Sequence, residues 1–334
     1  SPSTTTKSTT TVTPIQTDPV KEHGTTTSTD YCEEFPKSIF FRQGETLLDR
    51  TQQTDVEYVL GTFRRGAIEQ GCVPSMEMLG RFHTLEAAQG SRIHLALPWL
   101  LESAIRGSYS SSMKLVTELY YEATPQSAEA LMKYWITMIN KQSAWCAEVD
   151  QESSYTIPKA QVKEFNTITT TECAVCERSD SHTVKLQQCK GCSSYCYCSK
   201  ACQRRHWDEQ NHRSECKQFQ LLEKYHLPYA KEIYRAATAR TAGTTHTTRT
   251  TPHPALAKLR TKLGLTRPLH DYQALMDGYT TTTTTGSTHN GGSSSSSHGF
   301  RKKPIIPSEY VIARNDGTVW IGSTPKPMGP FARI

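Results

Sequence analysis

The stretch that decides how this chain folds holds four pairs of metal-binding residues: Cys173-Ala-Val-Cys176, Cys189-Lys-Gly-Cys192, Cys198-Ser-Lys-Ala-Cys202 and His212-Arg-Ser-Glu-Cys216. Zinc accepts a tetrahedron of thiolate and imidazole ligands, so the chain needs only to present four of them together. A CxxC pair presents two sulfurs from one tight turn, and residues four apart lie on one face of a helix. Eight ligands in four pairs predict two zinc ions, each with a closed set of four ligands.

The cysteine distribution favours metal over disulfides. Eight of the eleven cysteines fall between 173 and 216, instead of being spread as a disulfide framework would be. The spacing leaves open which pairs combine, and His206, four residues after Cys202, is a rival ligand to His212. Only Cys198 fits the spacing to both neighbouring pairs. Cys196 is therefore predicted to be a small, partly buried residue and not a ligand.

The string Tyr197-Cys198-Ser-Lys-Ala-Cys202-Gln203, followed by Trp207, His212 and Cys216, is similar to the MYND-type zinc finger. The similarity covers 173–216. It implies an interleaved pair of structural zinc sites, with His212 as the histidine ligand and His206 as a polar, exposed residue. The implied ligands are Cys173, Cys176, Cys198 and Cys202 for the first zinc, and Cys189, Cys192, His212 and Cys216 for the second.

The resemblance also implies a function in binding. In the MYND family the finger is a small module that binds proline-containing peptides in an extended conformation. The positions that line the peptide groove in that family correspond to Gln203 and Trp207 in this sequence. An indole face can pack on a proline ring, and a side-chain amide can pair with an extended peptide backbone. The alternative interpretation of Trp207 is that it covers the zinc core. The implied function is a protein-interaction adaptor whose partner is a protein or a proline-containing peptide.

Enzymatic and nucleic-acid functions are the alternatives. The chain is expected not to be an enzyme, because closed zinc sites leave no position for water. G-x-S-x-G, P-loop and kinase signatures are absent from the sequence. A RING-like ubiquitin ligase module and a truncated SET-type methyltransferase are the enzymatic alternatives. A nucleic-acid-associated transcriptional regulator would use the basic residues Arg204, Arg205, His206 and Lys217.

Between about 45 and 145 the apolar spacing is helical and partly self-similar. The stretch from Phe63 to Gly71 superposes on that from Trp99 to Gly107 with a shift of 36, and Trp135 lies 36 residues further on. Such a period is typical of stacked helical hairpins, with a glycine ending one helix in the left-handed conformation. The pattern resembles the Sel-like repeats, relatives of the tetratricopeptide repeat. Because the helices carry their own apolar face, they are expected to keep their helicity without metal.

The sequence therefore predicts a mainly α-helical chain with a small two-zinc finger and a β-hairpin near the end. A helix is predicted over 216–234, and the hairpin is predicted to turn at Asn315-Asp316-Gly317. Thr/Ser-rich segments cannot bury enough apolar surface to order themselves. The predicted regions are a disordered 1–31, a helical repeat region 32–160, the finger 173–216, a helical extension 217–278 with a linker at 235–253, a low-complexity linker 279–303 and a hairpin tail 304–334.

The bulk composition describes a mildly basic and rather hydrophilic chain. The formal charge is +6 and the mean hydropathy is −0.58. Seven thiolates with two zinc ions would lower that charge to about +3. The sequence shows no strong nucleic-acid footprint, no apolar run of membrane-spanning length and no signal peptide. These features predict an intracellular protein of the cytoplasm or nucleus, with no membrane partner.

Overall fold

Six helices lie in the described N-terminal part of the chain in this computed structural model. The structure describes residues 35–49, 56–85, 93–121, 127–147, 170–239, 253–266, 309–313 and 318–323. The chain divides into two compact units, Ser1–Asp30 and Tyr31–Ile334, and all described residues belong to the second. The helices are α1 (Ile39–Asp49), α2 (Val56–Gln70), α3 (Val73–Leu85), α4 (Ile93–Ala104), α5 (Tyr109–Lys114), which continues into a π-helical turn (Leu115–Leu119), and α6 (Glu129–Ala147).

Two glycines end helices where the repeat pattern places them. Gly71 follows α2 with φ of +60°, and Gly107 follows α4 with φ of +98°. A side chain is strained in this conformation, which explains glycine at both positions. Thirty-six residues after Gly107 the sequence has Ser143 in place of a third glycine, and the helix continues there because Ser143 lies within α6. Consecutive helices from α1 to α6 pack on one another, as in stacked hairpins. The Sel-like identity of this region stays a prediction.

Most of the buried apolar side chains of these described helices belong to two separate clusters. The first cluster belongs to α1–α3 and is built around Phe41, Phe63 and Leu79. The second joins α4, α5, the π-helical turn and α6, with Trp135 fully buried at its centre. Helix α4 can therefore pack on α3 while its remaining faces contribute to a different core.

The finger and its helical extension follow α6. Strands β1 (Gln187–Gln188) and β2 (Cys196–Tyr197) pair antiparallel, followed by α7 (Lys200–Glu209) and α8 (His212–Tyr225). A 3-10 turn (Leu227–Tyr229) separates α8 from α9 (Ala230–Thr238), and α10 (Pro254–Lys262) packs on α8. The expectation of one helix over 216–234 was wrong, since Pro228 lacks the N–H that a continuous helix requires. Helix α9 also extends four residues into the predicted linker 235–253.

The fold class predicted from sequence is confirmed, including the hairpin. Strands β3 (Glu309–Ala313) and β4 (Val319–Ser323) pair antiparallel, with Ala313 opposite Val319. Strand β3 lies near α4 and α8. The predicted turn at 315–317 and the segments 1–31 and 279–303 lie outside the described residues. Among the described helices, none has the length and apolar character that crossing a membrane requires.

Candidate metal centre

Two equivalent turns present the CxxC pairs of the finger. In the first, the N–H of Glu177 donates to the carbonyl of Cys173 over 2.9 Å; in the second, Ser193 donates to Cys189 over 2.8 Å. Glu177 and Ser193 have φ of +60° and +53°, a conformation that costs a non-glycine residue roughly 1 kcal/mol. Each pair of sulfurs is thus held by the same local backbone geometry, which the chain adopts at some cost in strain.

Helix starts present the other two pairs. Ser199 caps α7, and its hydroxyl accepts the N–H of Cys202 over 3.2 Å. Cys198 therefore lies just before the helix and Cys202 lies in its first turn, with their sulfurs 3.6 Å apart. His212 and Cys216 both lie on α8, one turn apart as their spacing predicts.

The structure brings together the two ligand sets that the resemblance implies. In the first cluster the Cys176 Sγ lies 3.4 Å from that of Cys198 and 3.9 Å from that of Cys202, with Cys173 completing the set. In the second cluster the His212 Nε2 lies 3.3 Å from the Sγ of Cys189 and 3.7 Å from that of Cys192, and Cys216 completes the set. We define these two sets as cluster 1 and cluster 2.

These distances suit a metal and not disulfides. A tetrahedron with zinc–sulfur bonds of roughly 2.3 Å has sulfur–sulfur edges of roughly 3.8 Å, whereas a disulfide bond is about 2.05 Å long. The distances between ligand atoms in both clusters are close to tetrahedral edges. The chemistry and spacing of both donor sets therefore fit zinc, which would be held by four protein ligands in each.

The electrostatics of cluster 2 also call for a cation. Hydrogen bonds from Cys192 and Cys216 lower the pKa of the Cys189 thiol, while the bonds that Cys216 makes to Cys189 and Cys192 raise the pKa of Cys216. The Cys189 thiolate is thus stabilised at the expense of ionising Cys216, because like charges at this distance repel. A divalent cation removes that conflict and lets all the thiols ionise together.

His206 is not a member of either cluster. Its Nδ1 lies 2.9 Å from the hydroxyl of Tyr197, and its ring stacks on that of His212 with centroids 4.6 Å apart. Burial, with a smaller effect of His212, lowers the pKa of His206 to about 3, so the ring is neutral. The expectation that His206 is exposed was wrong, since it is a buried aromatic packing partner behind His212.

Glu215 is a buried residue that the sequence reasoning missed. Its Oε2 lies 3.3 Å from Nδ1 of His212, the ring nitrogen on the side away from the sulfurs. Its carboxylate also accepts the hydroxyl of Tyr195 over 3.0 Å and the N–H of Ala130 over 2.7 Å. A carboxylate behind a ligand histidine fixes the ring orientation. The available signal was its spacing, because Glu215 lies three residues after His212 on the same helix face.

The contacts of Glu215 join the finger to the start of α6. Tyr195 strengthens this connection, because its hydroxyl oxygen also accepts the N–H of Glu129 over 3.0 Å. Further along, His226 after α8 contacts Tyr134 of α6 through Nδ1 and the carbonyl of Ile105 through Nε2. Five buried finger residues, among them Tyr197, belong to the same apolar cluster as α4–α6. Helices α4–α6 therefore share packing with the finger, and the expectation that the helices keep their helicity without metal stays a prediction.

Gln203 and Trp207 lie one turn apart on α7, and both are half-buried. The edge of the Trp207 ring meets the ring of His212, with centroids 5.7 Å apart at 75°. Trp207 thus covers part of cluster 2 and still keeps an exposed surface. Cys196 is buried in β2 and belongs to neither cluster.

Comparison with known proteins agrees with this geometry. Residues 173–216 match the family model of the MYND finger, so the chain contains a zinc finger of the class that generally mediates protein interactions. Neither a curated protein nor a solved structure matches the chain. The finger is accordingly the part of this protein with a recognised class.

Proposed function

We propose that this chain is a non-enzymatic adaptor whose finger holds two structural zinc ions and docks an extended proline-containing peptide. The observation that carries the proposal is the half-buried pair Gln203 and Trp207, side by side on a helix that also supplies a ligand of cluster 1. The metal of cluster 1 would hold α7 in place through Cys202, and the partner would bind the surface of α7 that carries Gln203 and Trp207.

Support for structural zinc comes from the ligand count. Each cluster supplies four ligand atoms that all lie within 4.8 Å of one another. Four protein ligands fill a tetrahedron and leave no position for a reacting water, which is the arrangement of structural sites. Zinc supplies the folding energy that so small a module lacks in its own core.

Support for peptide binding comes from the surface of α7. One face of this helix carries Lys200, Gln203, Arg204 and Trp207. Gln203 and Trp207 are half-buried, whereas Lys200 and Arg204 are exposed. A partly exposed indole offers a flat apolar surface for a proline ring, and the neighbouring amide can donate to and accept from a peptide backbone.

Titration of the zinc-loaded chain with a library of proline-containing peptides tests this proposal. Trp207→Ala should weaken the best binder by ~1–3 kcal/mol, the usual scale for losing an aromatic anchor. Gln203→Ala should cost less, because one hydrogen bond nets only ~0.5–1.5 kcal/mol. Tyr229, an exposed aromatic on another helical segment, provides the control, and Tyr229→Ala should leave the affinity unchanged.

Zinc content separates the two interpretations of Trp207. If Trp207→Ala keeps two zinc ions and loses the peptide, the groove interpretation holds. Loss of zinc or of the fold in this variant would mean that Trp207 is a cover for cluster 2, and the proposed groove would lose its main contact. A ubiquitin-charging assay with a panel of conjugating enzymes should show no ligase activity, and any stimulation by the chain would contradict the non-enzymatic proposal.

A further inference from the structure

The two clusters differ sharply in their exposure. All four ligands of cluster 2 are buried, and Glu215 and the stacked ring of His206 back its histidine. In cluster 1 only Cys173 is buried, while Cys176 is exposed and Cys198 and Cys202 are half-buried. Solvent-borne reagents can therefore reach Cys176, and in part Cys198 and Cys202, without any opening of the core.

We propose that cluster 1 is a modification site, at which oxidants and electrophiles react first with Cys176 and so release the metal of that cluster alone. This inference rests on the zinc ligation proposed above. Its physical basis is that cysteine reactivity follows thiolate character and access. Metal ligation keeps the sulfurs of both clusters as thiolates, so exposure decides between them.

With hydrogen peroxide as the oxidant, the chemistry of the site is defined. The Cys176 thiolate attacks one peroxide oxygen and breaks the O–O bond, which forms a sulfenic acid and releases hydroxide. The Cys198 sulfur, 3.4 Å away, then attacks the sulfenic sulfur, displaces a second hydroxide and closes a disulfide. Two thiolates have supplied two electrons, one peroxide has been reduced, and the metal has lost two of its four ligands.

The position of cluster 1 limits the structural damage from this reaction. Cys189, Cys192 and Cys216 of cluster 2 belong to the apolar cluster that includes α4–α6, whereas Cys176 and Cys198 lie outside that apolar cluster. The disulfide would loosen the first turn of α7, where Cys202 lies, beside Gln203. The reaction therefore connects oxidation to the surface proposed for peptide binding, while the helical core stays folded.

The experiment follows metal release from the zinc-loaded full chain with a zinc-sensitive dye. Under peroxide or a strong chelator, one equivalent should appear fast and the second about ten- to hundredfold more slowly, the range that supporting partners contribute to metal affinity. Peptide mapping after the fast phase should find a disulfide between Cys176 and Cys198, with the cysteines of cluster 2 still reduced.

Three variants assign the two phases. Cys176→Ser should remove the fast equivalent and leave the slow one, and Cys196→Ser, which changes a buried non-ligand cysteine in the adjacent strand, should leave both phases as they are. Glu215→Gln loosens the support of cluster 2 without touching a ligand. It should accelerate only the slow phase, and this variant keeps the test sharp if Cys176→Ser fails to fold.

The results distinguish failure of this inference from failure of the proposed function. A chain that holds two zinc ions and releases both in one phase, or oxidises cluster 2 first, overturns the inference and leaves zinc binding intact. A chain that holds fewer than two zinc ions contradicts the proposed function itself.

Discussion

Replacing Glu215 by alanine tests how the finger is joined to the helices. In the folded chain its carboxylate accepts hydrogen bonds from Tyr195 and Ala130 and contacts His212. Hydrogen bonds to charged groups contribute about 1.5–3 kcal/mol each, and removal of this acceptor leaves buried donors unpaired. We expect Glu215→Ala to lower the free energy of unfolding by about 3–5 kcal/mol, because at least two such hydrogen bonds are lost. The affinity of cluster 2 for zinc should fall about ten- to hundredfold, because the His212 ring loses its orienting carboxylate.

Denaturant unfolding and competitive chelation measure the two effects. The matched control is Glu209→Ala, since Glu209 pairs with Arg205 on the exposed face of α7 over 3.2 Å. An exposed ion pair contributes at most about 1 kcal/mol, so this control should change little. The reasoning would be refuted if Glu215→Ala unfolded like the control, or if it weakened cluster 1 and left cluster 2 unchanged.

Four further predictions concern metal, packing and pH. Chelation should raise the rate of hydrogen exchange in α4–α6, which share an apolar core with the finger, and leave the rate in α1–α3 unchanged. The same change in all six helices, or no change in any, would contradict the description of two separate apolar cores. Gly191→Ala should expel zinc from cluster 2, because a Cβ at this position would lie 2.5 Å from the Cys216 sulfur. Its control is Gly61→Ala, where the added Cβ meets no atom; this variant should stabilise α2 by about 0.5–1 kcal/mol in thermal unfolding. Cys198→Ser should release the zinc ion of cluster 1 alone, and Cys196→Ser should retain both ions by elemental analysis; the reverse result would show that the ligand assignment is wrong. Burial lowers the pKa of His226 to about 4, below its unfolded value of roughly 6.5. The unfolded chain therefore binds the extra proton, and the free energy of unfolding should fall by about 3 kcal/mol in total between pH 6.5 and pH 4, a slope that His226→Gln should flatten in urea titrations.

Local features were predictable because short stretches of chain determine them. The CxxC turns, the His212–Cys216 pair on one helix face and the glycines after α2 and α4 depend on residues within one or two turns. The helix predicted over 216–234 failed for an equally local reason, since the effect of Pro228 on the helix was overlooked. The apolar residues Phe219 and Leu222 of α8 are nonetheless buried.

The sequence by itself predicted the class of module, its candidate zinc ligands and the mainly helical character of the chain. Only the tertiary structure decided which buried groups support the ligands. His206 was placed behind His212, and not beside the metal, by the hydroxyl of Tyr197 and the stacking of the two rings. The hydrogen bond between Glu215 and Ala130 connects residues 85 positions apart, and no helical or strand periodicity predicts a contact over that separation. The physical reason is that the spacing of the ligands along the chain is set by local turns and helices. Burial depends on distant helices, which exclude water from cluster 2 and leave cluster 1 partly exposed.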